Sequence, residues 1–275
     1  MQTPTTLEHL AHQAIDGNRE ALEAVVTALQ RDVYALALKM LWNREDAEDA
    51  TQEILVRTVT RLSQFTFQSQ LRTWVYRIAV NYILDTRKSA IEKLRLSFDR
   101  FSEELIAGLR DDSVAEGERS ILIDEVRIGC SLAMLQCLDR HHRAAYVLGE
   151  LMELSGPEAA EILDVPPALF RKRLQVARQE VLAFVTAHCG LVSDTAPCRC
   201  HRRVPAAGAA LDSPPQPLVF ARRPTSFEEA RAVVRHVDRT RWALEVHRTS
   251  QPGESTVDFA QQLLRVLDSY DSSTS

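Results

Sequence analysis

The chain has 275 residues, 45% of them apolar and 26% charged, with nine glycines and only 6% aromatics. That length suits two small cored domains plus further segments better than one large domain, and so little glycine and aromatic content argues against an all-β fold. The net charge of −5 gives no sign of a uniformly basic nucleic-acid binder, so any contact with a polyanion has to rest on local clusters, whose cations alone displace its counterions.

No apolar run approaches the roughly 18 to 20 residues that span a bilayer. The first twenty residues, MQTPTTLEHLAHQAIDGNRE, lack the basic start and apolar core of a signal peptide. A cytoplasmic protein without membrane insertion is expected. Apolar positions recur at three and four over residues 6–62, and no proline falls between Thr5 and Leu62, which predicts helices. Within them, residues 44–53 hold five acids against one arginine. Acids in a first helical turn are favoured by the macrodipole, so Asp46, Glu48 and Asp49 read either as a start signal or as an acidic docking surface.

A polar break at 63–70, SQFTFQSQ, places Phe65 and Phe67 among small polar residues. Aromatics in a loop beside a basic helix can stack on unpaired bases, each stack contributing about 1 to 3 kcal/mol. The stretch LRTWVYRIAVNYILDTRK (71–88) follows as an amphipathic helix. Leu71, Val75, Ile78 and Tyr82 form one face, and Thr73, Arg77, Asn81, Asp85 and Lys88 another. For Trp74 and Tyr82, core packing competes with a surface role. Residues 71–100 carry seven Lys and Arg against three acids.

Residues 89–120 lose regularity and alternate in charge, as a surface linker does. A second helical block spans 121–187. Inside it, ELSGPEAAEILDVPPALFRKRLQVARQEVLAF reads as a short helix, a turn near Asp164 and Val165, and a second helix starting at the Pro166–Pro167 pair. Proline is tolerated in a first helical turn, and this layout is a helix-turn-helix. Arg171, Lys172, Arg173 and Arg178 crowd its second helix.

Beyond it, Cys189, Cys198 and Cys200 cluster with His188 and His201. Three thiolates and one imidazole, here Cys189, Cys198, Cys200 and His201, would complete a tetrahedral zinc site; scattered thiols at a helix end are the other reading. Cys130 and Cys137 fit a helix core. A Pro- and Ala-rich linker follows, then two amphipathic segments, the first with capping-box spacing at Ser226 and Glu229.

The motifs LALKMLWNREDAEDATQEILVRTVTRL and LRTWVYRIAVNYILDTRK resemble region 2 of the extracytoplasmic-function type of bacterial sigma-70 factors, and the helix-turn-helix resembles their region 4. The likeness covers roughly residues 20–186. It implies an all-α fold: a region 2 bundle at 1–90, a linker at 91–120, and region 4 at 121–187. A Cys-containing segment and linker would follow at 188–225, and a partly helical extension at 226–275. The implied protein is not an enzyme. It binds the β′ and β subunits of core RNA polymerase and promoter DNA, can be held by an anti-sigma factor, and requires no cofactor apart from the candidate zinc.

Carried over residue by residue, Asp46, Asp49, Gln52, Glu53 and Arg57 would meet the polymerase. Phe65, Phe67, Gln68, Ser69, Arg72, Thr73, Trp74, Arg77, Asn81 and Lys88 would read and open the −10 element. Arg171, Lys172, Arg173, Gln175 and Arg178 would contact the −35 element in the major groove. Two departures stand out: Asp164 occupies the usual glycine position of the turn, and Pro166 the position of a Ser or Thr cap. A stand-alone helix-turn-helix regulator is the rival reading, and a metal-binding regulator with a degenerate region 4 is a third.

Overall fold

The computed structural model describes residues 6–86, 95–110, 119–209, 230–232, 234, 241–248 and 250–273. Among them there is no strand, only an isolated bridge that pairs Cys189 with Cys198. The helices sort into two units. The first comprises Met1–Ser89, Gly156–Pro167 and Glu254–Ser275; the second comprises Ala90–Ser155 and Ala168–Gly253. The expected helix-turn-helix is thus divided between units, and the end of the chain returns to the first.

In the first unit, α1 (Leu7–Ile15), α2 (Arg19–Leu41), α3 (Arg44–Thr60) and α4 (Leu71–Asp85) form a bundle. The first three starts carry a local signal. Thr6 accepts from the His9 amide at 3.2 Å, Asn18 from Ala21 at 3.0 Å and Asn43 from Asp46 at 2.8 Å, which satisfies N–H groups that a helix cannot pair internally. Gln70 offers α4 no side-chain cap, and the Leu71 amide donates instead to Glu8 of α1 at 3.2 Å. Trp42 ends α2 in the left-handed region (φ 51°) and turns the chain directly into α3.

The core of this bundle is formed by Val25, Val26, Leu29, Val33, Leu36 and Met40 of α2 with Ile54 and Leu55 of α3 and Leu71, Val75, Ala79, Val80 and Ile83 of α4. Lys39 is buried among them, and burial lowers its pKa to about 8, partly offset by Asp32. The expected dry face of α4 is therefore rotated. Leu71 and Val75 are buried as predicted, but Tyr76, Ala79, Val80 and Ile83 complete the buried face, while Ile78 and Tyr82 stay half-exposed.

The same unit contains α8 (Gly156–Ile162), which packs on α4, and the turn after it. Asp164 adopts φ 51° there, and the Asp164 and Val165 amides donate to Glu161 and Ala160 carbonyls, each at 3.1 Å. The left-handed position predicted for Asp164 is thus present. Finally α12 (Phe259–Ser273) lies on α2 and α3, burying Phe259, Ala260 and Leu263. Phe259 and Leu263 together contribute roughly 3 to 6 kcal/mol of gross burial, and ordering the segment opposes that gain at about 1 to 2 kcal/mol per residue before helix hydrogen bonds offset it.

The second unit contains α5 (Phe98–Ala107), α6 (Arg119–Cys137), α7 (Arg140–Tyr146), most of α9 (Pro167–His188), α10 (Cys200–Ala209) and α11 (Trp242–Arg248). Two of these correct the sequence reading. Residues 98–107 were expected to be irregular linker; Ser97 caps them by accepting from Arg100 at 3.3 Å, and Phe101 and Leu105 are buried one turn apart. Phe98 and Phe101 lie 5.3 and 5.2 Å from the Phe184 ring, a partner no local pattern reveals. Likewise α10 begins the expected Pro- and Ala-rich linker as a helix with Pro205 inside it, packed along α6. The capping box at Ser226 and Glu229 lies outside the described residues.

After α7 the helix widens over Val147–Leu151, where the Met152 amide donates to Val147 at 2.9 Å, an i to i−5 bond. Gly149 sits in that turn, and a Cβ there would stand 3.0 Å from Leu174 and 3.2 Å from Phe170 of α9. Buried Arg143 is satisfied by carbonyls, donating to Leu135 at 2.9 Å and Leu138 at 3.2 Å.

Candidate nucleic-acid interface

Helix α3 presents two chemically different surfaces because of where its small residues fall. Ala47, Ala50, Thr51, Ile54, Leu55 and Thr58 face the bundle, and the two buried hydroxyls donate to Ala47 and Ile54 carbonyls at 2.6 and 2.8 Å. The opposite side is left to the acids. Glu45, Asp49 and Gln52 are exposed, and Asp46 and Glu53 half-exposed. Further along, Glu53 accepts from Arg57 Nε at 2.7 Å, and the Arg57 guanidinium lies 4.6 Å from the Tyr82 ring centroid of α4, a cation–π contact. Arg57, expected on the acidic face, thus leans into the neighbouring groove.

That groove is a cleft of about 390 Å³, lined by Arg57, Arg61, Trp74, Arg77, Ile78, Asn81, Tyr82 and Asp85. Three guanidinium groups can hold phosphate oxygens, the Asn81 amide can both donate to and accept from a base edge, and the two aromatic side chains supply a wall for a flat ring. Arg77 is also bound to the turn after α8, donating to Asp164 at 2.9 Å. Sequence reasoning missed Arg61 and treated Tyr82 as dry-face packing. The signal was the spacing of Arg57, Arg61 and Tyr82, legible only once α3 and α4 are known to lie side by side.

The loop before α4 divides its two aromatics. Phe65, expected to stack on bases, is buried, 4.6 Å from the Phe67 ring and 5.5 Å from Trp74, so it supports those rings. Phe67 is 39% exposed, adopts φ 59°, and stacks on His12 at 5.1 Å. Thr73, also expected at DNA, is buried because it shares the inner side of α4 with Tyr76 and Val80. Gln68 is exposed and Ser69 half-exposed. Arg72 is exposed but ion-paired with Asp32. Lys88 lies outside the described residues.

In the second unit, α9 buries Phe170, Leu174, Ala177, Val181, Phe184 and Val185. Its other side exposes Arg171, Lys172, Gln175 and Arg178, with Arg173 half-exposed. Arg171, Gln175 and Arg178 follow one another at helical spacing on one face. Arg178 is held by Glu150, its Nε donating at 2.7 Å.

Residues 25–91 match the family model of sigma-70 region 2. The ECF RNA polymerase sigma factor SigC of Mycobacterium tuberculosis is 32% identical over 174 residues, which is 63% of this chain and 88% of that protein. The chain belongs to the extracytoplasmic-function sigma factors of the sigma-70 family. SigW of Bacillus subtilis, another such factor, is 28% identical over 61% of this chain and 90% of its own length. A solved structure described as CnrH in complex with the cytosolic domain of CnrY is 22% identical over 64% of this chain and 94% of that one, with a TM-score of 0.46. The comparisons lend nothing to a stand-alone helix-turn-helix regulator, and no helix among the described residues of this sigma factor is long and apolar enough to cross a membrane.

The cysteines of this sigma factor depart from the expected arrangement. Cys189 and Cys198 sit on adjacent backbones, with the Gly190 amide donating to the Cys198 carbonyl at 3.0 Å and the Cys198 amide to the His188 carbonyl at 3.3 Å. A Cβ on Gly190 would lie 2.3 Å from that Cys198 oxygen, so only glycine allows the approach. The Arg199 guanidinium ties the loop, donating to Ala196 at 2.7 Å and to Cys198 and Asp194 at 2.9 Å. Burial pushes the Cys198 thiol up to about 12 and raises Cys189 and Cys200 as well.

Cys130, expected to be plain core, has its thiol raised by burial first and then by Cys198, Cys189 and Cys200. The predicted ligand set of Cys189, Cys198, Cys200 and His201 is not gathered. His201 is on the exposed side of α10, and among the described residues no three or more His, Cys, Asp or Glu side chains are placed to hold a metal ion.

Proposed function

We propose that this sigma factor docks on core RNA polymerase, through its β′ and β subunits, with the acidic outer face of α3. Asp46, Asp49, Gln52 and Glu53 meet a basic surface of the enzyme there. The cleft between α3 and α4 then holds an unpaired base of the −10 element, with Arg57, Arg61 and Arg77 at the phosphates, Asn81 at the base edge, and Trp74 and Tyr82 against the ring. Exposed Phe67 and Gln68 flank the displaced strand. Helix α9 reads the −35 element through Arg171, Lys172 and Gln175, with Arg173 and Arg178 on the backbone.

The carrying observation is the division of α3, whose one end exposes carboxylates while its other end and the residue that caps it supply two of the three arginines of the cleft, Arg57 and Arg61. A helix that is acidic at one end and cationic at the other suits a protein that bridges a basic protein and a strand of DNA. Melting would need no nucleotide hydrolysis, because stacking and phosphate contacts offset the unstacking of a strand that opens thermally.

Run-off transcription on fragmented genomic DNA, with core polymerase and with or without this protein, tests the reading. Transcripts that appear only on its addition, sharing elements near −10 and −35, are expected. Silence of core polymerase under both conditions, with the chain bound to duplex DNA alone, would overturn it.

A further inference from the structure

The segment Glu254–Ser273 makes a specific seat on α2 and α3. Ser255 Oγ donates to Glu48 at 2.9 Å, and Arg44 donates to Thr256 Oγ1 at 3.0 Å. Both partners belong to the opening turns of α3, beside the acidic face. On α2, Arg31 pairs with Glu254 at 2.9 Å and Arg19 with Asp268. The start of α12 is capped from two sources, since the Gln261 amide donates to Asp258 and the Ala260 amide to Gln30 of α2, each at 3.0 Å. A helix that has one of its first amides satisfied by another helix is fitted to that position. Phe259 completes the seat 6.0 Å from the Tyr34 ring.

The hold is also narrow. Of the described side chains of α12, Phe259, Ala260 and Leu263 are buried, while Gln261, Gln262, Arg265, Val266 and Asp268 are exposed. The ion pairs that flank the seat are largely exposed, a class that contributes little to binding. Docked and released forms therefore lie close in free energy, and a partner that binds only the released form can shift the balance.

We propose that Glu254–Ser273 is a displaceable strap that competes with core RNA polymerase for the α2–α3 surface. This rests on the reading of α3 as the polymerase-docking helix. A surface closing on Asp46 and Asp49 from outside meets Ser255 and Thr256 at the same helical end, and two carboxylates of the strap already occupy Arg19 and Arg31 of α2. Binding of polymerase and docking of the strap exclude one another at that edge.

The test compares the full chain with two strap variants, Leu263→Asp, which places a carboxylate at a buried position, and Glu254→Arg, which faces Arg31 with a like charge at an exposed one. Each is measured for affinity to core polymerase and for protease sensitivity of residues 254–273. The expected result is faster cleavage of the strap in both variants and core affinity raised by at least about threefold, as follows when a largely docked population is released. A strap that is cut readily while core affinity is unchanged or lower would overturn the proposal, as would a strap protected as in the unaltered chain. Equal binding by all three forms removes the strap alone; no binding by any of them removes the polymerase reading and the strap with it.

Discussion

Lys39 occupies a place where an apolar side chain would be expected, and its burial sets a measurable pH signature. Burial lowers its pKa from 10.5 to about 8, with Asp32 opposing the fall. At about 1.4 kcal/mol per pH unit, holding the charged form inside α2 costs about 3 kcal/mol relative to the unfolded chain. Below pH 8 both states carry the proton and the cost is complete. Between about pH 8 and 10.5 the folded state has lost it while the unfolded state retains it, so stability rises through that window.

Other groups oppose this rise. The Tyr76 and Tyr146 hydroxyls and the five thiols are all raised by burial, so their unfolded forms ionise first and stability falls above about pH 9. The Lys39→Met variant isolates the lysine, because every other contribution cancels in the difference. Urea denaturation followed by tryptophan fluorescence should find it up to about 3 kcal/mol more stable at pH 7, with the gap closing toward pH 10.5. A gap that is absent at pH 7, or that does not shrink as pH rises, would refute the argument from burial.

Three further outcomes are expected. Asp49→Lys reverses an exposed charge on α3 and should weaken co-purification with core polymerase by at least about tenfold, while duplex DNA binding by α9 stays intact; unchanged recovery with core would count against the acidic face. Arg171→Ala with Lys172→Ala should lower the slope of log affinity against log salt on a −35 element by up to about two units, and an unaltered slope would mean this helix faces elsewhere. Asn81→Ala should leave core affinity unchanged but reduce permanganate reactivity of unpaired thymines at the −10 element by roughly fivefold or more, in line with the loss of about 1 to 3 kcal/mol for a base contact. Equal reactivity would place base capture outside the cleft.

What was legible beforehand follows from how far each signal reaches along the chain. The acid run of α3 and the left-handed turn at Asp164 are encoded within a few residues and appear as expected. The inner side of α4 was misassigned because Ile78 and Tyr82 are apolar enough to read as core, yet the neighbouring helix covers Tyr76, Ala79 and Val80 instead. Phe65 and Phe67 look alike in sequence; the long-range contacts with Trp74 and His12 that distinguish them leave no trace in it. Helix α5 depends on Phe184, more than seventy residues away, and the packing of α10 along α6 joins segments more than sixty residues apart. Pairings of that range leave no periodic trace.

The seating of α12 on α2 and α3 also has a consequence in time. The bundle helices have all been made by Asp85, but Glu254 is added about 170 residues later. At roughly 5 to 20 residues per second, translation leaves the α2–α3 surface uncovered for roughly 10 to 35 s in every new molecule. Under the proposed competition, a chain still on the ribosome presents to polymerase an α2–α3 edge that the docked strap later covers, so newly made and mature molecules would differ in availability before any signal acts.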